Sequence, residues 1–109
     1  MAKKKSAEIE PSSGNVFADL GLPDAVELDT KVRLAVAINQ RLAARRMTQA
    51  VAATKLSINQ PKISALKNYR LEGFSVERLM GFLTALGSDI EIRIRSSRRT
   101  PGQITVEAA

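Results

Sequence analysis

The sequence TQAVAATKLSINQPKISALKNY, residues 48–69, decides how the rest of the chain is interpreted. Thr48 can cap a short helix, because its hydroxyl can accept a hydrogen bond from a free backbone N–H of the first turn. Ser57 then interrupts the apolar pattern. Asn59 can cap a second helix, which tolerates Pro61 in its first turn. The stretch therefore predicts two short helices joined by a tight turn.

This stretch lies within a longer segment, between Asp29 and Glu72, that contains no carboxylate. Exposed helices usually mix signs and gain i,i+4 ion pairs, so a segment of one sign suggests a partner that supplies the anions. The rest of the chain has eight cations against eleven acids, so the net charge of +6 comes from this segment. A local basic field on a helical pair indicates a nucleic-acid backbone as partner. The segment's nine cations are Lys31, Arg33, Arg41, Arg45, Arg46, Lys55, Lys62, Lys67 and Arg70.

Composition makes an enzyme or a metalloprotein an unfavourable interpretation. The 109 residues suit one domain, and they include neither cysteine nor histidine. Thiolate and imidazole ligands, cysteine nucleophiles and histidine bases are therefore excluded, and we expect no catalysis, metal or cofactor. A metal-free ribonuclease using Tyr69, Arg70 and lysines is the enzymatic alternative. No run of about 18 apolar residues occurs, so we expect a soluble cytoplasmic protein that does not enter a membrane.

The chain divides into three parts by composition. Residues 1–14 are polar and predict a disordered basic tail. Residues 15–95 predict the folded domain, which begins with a short helical arm over residues 15–22 that packs its apolar side chains against another element. Residues 96–109 predict a loop, with a second strand over residues 103–107.

Two long helices flank the central pair in the prediction. The first runs from Pro23 to about Arg46, and the second begins after a capping Ser75 and ends at Gly87. Apolar residues recur in both at three- and four-residue steps, which predicts one buried face on each. In the first helix these are Leu28, Val32, Leu34, Ala35, Ile38 and Leu42. In the second they are Val76, Leu79, Met80, Leu83 and Leu86.

Residues 89–95, DIEIRIR, alternate charged and β-branched side chains with a period of two, which predicts a strand with one buried face. A single strand leaves backbone hydrogen-bonding groups unpaired. It must therefore pair with residues 103–107, with a second copy of itself, or with another protein. Because readers of the major groove commonly bind two half-sites under two-fold symmetry, we predict a homodimer with the C-terminal strands at its interface.

The central stretch resembles the helix-turn-helix of the Cro/C1 repressor-like (XRE) family. The resemblance rests on the Thr-Gln start, Ala53, the apolar residues around the turn, and Ile63 with Leu66 inside the second helix. It spans roughly residues 33–86. It implies a mainly α, lambda-repressor-like bundle of about five helices, followed here by a C-terminal β-strand or hairpin. Ser57 and Tyr69 stand where the family often has glycine.

By position, the resemblance implies a set of DNA-contacting residues. Gln49 would bond a phosphate, Asn59, Gln60 and Lys62 would reach base edges with Ala65 one turn later, and Lys67, Asn68 and Arg70 would meet the backbone. Gln60 is the best candidate base reader, because a carboxamide can donate and accept at adenine. The alternative for Asn59 is that it only caps the helix, and the alternative for Gln60 is that it is a polar side chain that only faces water.

The sequences VFADLGLPDA and LGSDIEIRIR, residues 16–25 and 86–95, resemble those of HigA-type antitoxins. This resemblance implies autorepression of an operon through double-stranded operator DNA and a RelE/HigB-like ribonuclease toxin as partner. The alternative is an interaction protein that mainly neutralises such a toxin, through residues 16–22 or the strand edge, with DNA binding secondary.

Overall fold

The computed structural model describes residues 24–108. Four helices form a bundle in which α4 packs mainly on α1, and α3 packs mainly on α2 and also contacts α1. Their bounds are α1 Asp24–Ala44, α2 Gln49–Leu56, α3 Gln60–Lys67 and α4 Val76–Ala85.

The core lies where α1, α3 and α4 meet. Its largest fully buried side chains are Ile38 of α1, Ile63 and Leu66 of α3, Leu79 of α4, and Leu86 just after α4. Truncating a buried leucine or isoleucine to alanine typically costs about 2–5 kcal/mol. The two buried residues of α3 thus hold this short helix at a fixed rotation.

The three predicted N-caps are confirmed. The side-chain oxygens of Thr48, Asn59 and Ser75 accept hydrogen bonds from the backbone N–H three residues further on, at 3.1, 2.9 and 3.0 Å respectively. Each cap contributes about 0.5–2 kcal/mol. The boundaries of α2, α3 and α4 follow directly from these local bonds.

The predicted buried face of α4 is largely confirmed. Val76, Leu79 and Leu83 are buried, whereas Met80 is only partly buried. Phe82, which the pattern did not include, is buried instead. Its ring packs edge-on against Phe74 of the loop before α4 with a centroid distance of 5.8 Å. Phe82 lies three residues after the fully buried Leu79, so it shares the buried side of α4.

The predicted buried face of α1 is partly wrong. Leu28 and Val32 are 58% and 36% exposed. The other helices pack on a different side of α1, so these two residues point away from the core, whereas Val26 packs partly against it. The buried residues of α1 are Thr30, Leu34, Ala35, Ala37, Ile38 and Leu42.

The predicted architecture of about five helices with a C-terminal strand or hairpin is also wrong. The described part of the chain has four helices and no strand, and residues 89–95 have no regular secondary structure. Ile92 and Ile94 are 76% and 91% exposed, while Ile90 and Val106 pack partly against the helical core. Alternation alone does not make a strand, because a ladder also needs an aligned backbone partner, and residues 24–108 provide none. The predicted tail and arm, residues 1–22, lie outside the described residues.

Candidate nucleic-acid interface

The turn between α2 and α3 relies on a left-handed residue. Ser57 has φ 59° and ψ 41°, and its N–H donates to the carbonyl oxygen of Thr54 at 3.3 Å. The N–H of Ile58 then reaches back to the carbonyl oxygen of Ala53 at 3.0 Å. Tyr69, after α3, also has φ 59°. Both positions where the family often has glycine therefore adopt the backbone that glycine favours, at a cost of about 1–2 kcal/mol each.

The outward face of α3 carries the exposed polar groups. Gln60 is the first residue of α3 and Lys67 the last, and both are exposed. Within residues 24–108 the carboxamide of Gln60 has no hydrogen-bond partner. Gln49 is exposed at the first residue of α2. These side chains are therefore free to bind a ligand.

The two asparagines at the ends of α3 support the backbone. The Oδ1 atom of Asn59 accepts from the N–H of Lys62 at 2.9 Å, and the Nδ2 atom of Asn68 donates to the carbonyl oxygen of Ser64 at 2.8 Å. Asn59 uses only its oxygen in the cap, so its amide nitrogen remains available to an external acceptor. Both side chains stay exposed.

Lys62 is held against the loop that follows α3. Its ammonium nitrogen lies 5.3 Å from the ring centroid of Phe74, a cation–π distance. A Cβ atom added at Gly73 would lie 3.1 Å from the same nitrogen. Lys62 is therefore partly buried, in contrast to Lys67 on the open surface.

A shallow groove runs beside α3. Its volume is about 340 Å³, and it is lined by residues from the start of α3 and from the loop after it. Ala65 lies partly buried in the groove wall, and Arg70 is exposed at its rim. The groove thus brings Lys62, Ala65 and Arg70 together with Asn59, at one side of the outward face of α3.

The nine cations of the basic segment separate into two groups. Four of them have partners inside the protein. Lys31 pairs with Glu27 at 3.3 Å and Arg33 with Asp29 at 2.9 Å. Arg41 donates to the Ser88 hydroxyl at 2.6 Å, and Arg45 donates to the carbonyl oxygen of Leu86.

The last two contacts attach the end of α1 to the C-terminus of α4, where the helix dipole favours cations. The other five cations make no ion pair within residues 24–108. They lie around α2 and α3, so the basic field is concentrated at the helix-turn-helix end of the bundle. They are Arg46, Lys55, Lys62, Lys67 and Arg70.

The sequence prediction missed three residues that position this surface. Gly73 and Phe74 hold Lys62, as described above. Asn39 of α1 donates from Nδ2 to the carbonyl oxygen of Leu66 at 3.2 Å, which ties the end of α3 to α1. The available signal was an asparagine next to the buried Ile38 in an otherwise apolar turn of α1.

No group of three or more acids that could hold a metal ion occurs within residues 24–108. None of the four helices is both long and apolar enough to cross a membrane. What the described residues do offer is a small bundle with an exposed polar helix, positioned by a capped turn and surrounded by unpaired cations. This arrangement defines the class of helix-turn-helix DNA-binding proteins.

Comparisons with known proteins give the family. The model of a family described as "Helix-turn-helix domain" matches residues 16–95. A solved structure described as "Putative XRE Family Transcriptional Regulator" is 56% identical, with a TM-score of 0.75, over 80% of this chain and 100% of that chain. No curated protein matches. The chain belongs to the XRE family of helix-turn-helix transcriptional regulators.

Proposed function

We propose that the protein is a sequence-specific repressor that inserts α3 into the major groove of its operator. The observation that carries the proposal is the contrast between the buried and the exposed side chains of α3. Ile63 and Leu66 are fully buried, whereas Gln60, the first residue of the same helix, is exposed and presents an unpartnered carboxamide. A helix held in this way can offer the same hydrogen-bonding groups to every duplex that it meets.

In this proposal, Gln60 reads a base edge and Asn59 supplies a second contact through its free amide nitrogen. Lys62 and Ala65 line the same groove as Asn59, so they contact the adjacent base or sugar. Gln49, Lys67, Asn68 and Arg70 bind phosphates on either side of the groove. Phosphate contacts supply most of the affinity and base contacts supply the discrimination.

We further propose that the protein binds DNA as a homodimer. Two recognition helices must be about 34–36 Å apart to read successive major grooves on one side of B-DNA. Residues 89–95 offer a surface for the second copy, because Ile92 and Ile94 are largely exposed on a segment without regular secondary structure. Replacing both isoleucines with aspartate should yield monomers in sedimentation. As a control, replacing the neighbouring Glu91 and Arg93 with serine should leave the dimer intact.

The operator that we propose is that of the protein's own operon, where the protein acts as the antitoxin of a toxin–antitoxin pair. This part rests on the resemblance of residues 16–25 and 86–95 to HigA-type antitoxins. The partner would be a RelE/HigB-like ribonuclease toxin. Co-expression with the product of an adjacent toxin-like gene should give a stable complex and restore growth. Continued toxicity and no complex would contradict the antitoxin role.

A second candidate function is toxin neutralisation with DNA binding as a minor activity. The exposed Ile92 and Ile94 favour it, since they offer an apolar surface distant in sequence from α3. The two functions predict different effects of substitutions that weaken DNA binding. Neutralisation alone would survive Gln60→Ala and Arg70→Ala, whereas repression would be lost.

The test of operator reading is a competition between operator and random duplexes. Gln60→Ala should reduce the preference for operator while barely changing the affinity for random DNA. Gln40→Ala is the matched control, because Gln40 is an exposed glutamine on α1. Equal losses on both duplexes for Gln60→Ala would contradict its role as a base reader.

A further inference from the structure

The outward face of α1 carries an apolar strip. Ala25, Val32 and Val36 lie on the side of α1 that faces away from the core, and Leu28 lies at its edge. Leu28 is 58% exposed, and the two valines are exposed by a little over a third. A surface helix of a globular protein normally presents polar residues on this side. Because α1 is apolar on both faces, it has the composition of a helix with a second packing partner.

Charged side chains border the strip without crossing it. At 100° per residue, the Arg33–Asp29 pair lies along one edge of the strip, and Lys31 lies beside Leu28 at the other edge, with its partner Glu27 further round the helix. Each pair neutralises itself through an i,i+4 contact. The strip is therefore a narrow apolar surface between two closed ion pairs, which suits a short apolar segment.

We propose that residues 16–22 of the same chain, VFADLGL, cover this strip. They provide Val16, Phe17, Leu20 and Leu22, and a single residue, Pro23, separates them from α1. From Leu28 to Val36 the strip is about 12 Å long. Seven residues span up to about 25 Å when extended and about 10 Å when helical. Because Leu28 and Val36 lie about 8 and 20 Å along α1 from Pro23, an extended segment reaches the whole strip, whereas a helical one reaches only Leu28.

Two observations favour this occupant over a second copy of the chain. The match to the family model begins at residue 16, so the segment belongs to the same matched unit as the four helices. The strip is also small. Three partly exposed side chains offer much less than the roughly 800 Å² per partner that a stable interface between proteins buries. An intrachain segment needs less area, because its attachment to α1 gives it a high effective concentration.

The experiment uses cysteine pairs in the full chain, which contains no native cysteine. Phe17→Cys is combined in turn with Leu28→Cys, Val32→Cys and Val36→Cys. The three pairs test three different positions of residue 17 along α1. The matched control combines Phe17→Cys with Val51→Cys, since Val51 is a valine of α2 that is 51% exposed. Mild oxidation of dilute protein is followed by intact mass and by non-reducing electrophoresis, which distinguish a disulfide within one chain from one between two chains.

The proposal predicts an intramolecular disulfide in at least one α1 pair, formed several-fold faster than in the Val51 control. Failure of all three α1 pairs to exceed the control would overturn it. Disulfide-linked dimers formed by Val32→Cys alone would also overturn it, because a second copy would then cover the strip.

A second measurement uses no cysteines, because an introduced disulfide can itself distort the structure near α1. Replacing Phe17 and Leu20 with serine in the full chain should shift the methyl resonances of Val32 and Val36 but not those of Val51. Unchanged Val32 and Val36 resonances would contradict the proposal.

Discussion

Asn39 of α1 donates a hydrogen bond from Nδ2 to the carbonyl oxygen of Leu66, near the end of α3, at 3.2 Å. Leu66 is itself fully buried, so this bond joins the rigid scaffold to the helix that carries the candidate base reader. The Oδ1 atom of Asn39 is buried and has no partner within the described residues. Asn39 therefore contributes one bond to the position of α3 and leaves one acceptor unsatisfied.

Asn39→Asp should destabilise the protein more than Asn39→Ala. Alanine removes one hydrogen bond together with the unsatisfied oxygen, so the net loss should be about 1 kcal/mol or less. Aspartate replaces the donor with a carboxylate oxygen facing a carbonyl oxygen, which should cost at least about 2 kcal/mol. Urea unfolding of the two variants measures the difference. Equal stability of Asn39→Asp and wild type would show that the bond to Leu66 is not formed.

Gly73→Ala should change DNA binding without a large change in stability. The new Cβ would lie 3.1 Å from the Lys62 ammonium nitrogen, which is the flexible end of its side chain and can move away. The unfolding free energy should therefore change by less than about 0.5 kcal/mol. Displacing Lys62 from Phe74 should alter operator affinity severalfold, as measured by fluorescence anisotropy. Operator affinity equal to that of wild type would mean that the placement of Lys62 is irrelevant to DNA.

Gly81→Ala should stabilise the protein and leave DNA binding unchanged. Gly81 lies inside α4, and a Cβ atom there would meet nothing within 4 Å. Alanine is favoured over glycine in a helix interior by about 0.5–1 kcal/mol. A rise in the urea midpoint checks this prediction, and a fall would indicate that the outward face of α4 is covered. The variant is also the glycine control for Gly73→Ala.

Ser57→Gly should stabilise the helix-turn-helix. Ser57 has φ 59°, where a side chain costs about 1–2 kcal/mol, while glycine loses about 0.4–1 kcal/mol of extra chain entropy on folding. A net gain of about 0.5–1 kcal/mol is expected from these two effects. Ser57→Ala is the control, since it keeps the side-chain cost and should not stabilise. Thermal or urea unfolding separates the two variants.

The sequence predicts the helix-turn-helix because local chemistry defines its boundaries. Thr48, Asn59 and Ser75 each bond a backbone N–H only three residues away, so nearby residues suffice to identify the start of a helix. The buried side of α3 can be predicted from the sequence equally well. Ile63 and Leu66 are the large apolar residues of an eight-residue helix, and both are fully buried.

The errors arise where the environment depends on distant residues. Leu28 and Val32 fit the apolar period of α1, but the side on which α4 packs is a tertiary choice that periodicity does not encode. Residues 89–95 have the alternation of a strand, but a strand also needs a partner backbone. Likewise, the contacts from Asn39 to Leu66 and from Lys62 to Phe74 join residues that are 27 and 12 positions apart.

The charges of the basic segment predict the kind of partner, but they do not show which cations are paired within the protein. Its nine cations indicate a nucleic-acid partner, and membership of the XRE family supports DNA binding. Four of them nevertheless have partners within the protein, including Lys31 and Arg33 with acids one helical turn away. Sequence composition counts all nine alike, whereas only the structure identifies the five that stay unpaired.

The central claim is that α3 binds duplex DNA with the unpaired cations around it. The most direct measurement is the salt dependence of binding to duplexes from the protein's own promoter, compared between Arg70→Ala and Arg33→Ala. Both variants lose one positive charge, but Arg33 is paired with Asp29 away from α3.

We expect tight binding at low ionic strength by the wild type. For Arg70→Ala we expect a slope of log K against log salt that is shallower by about 0.9, with the slope of Arg33→Ala unchanged. No binding at low ionic strength, or the same change of slope in both variants, would contradict the account.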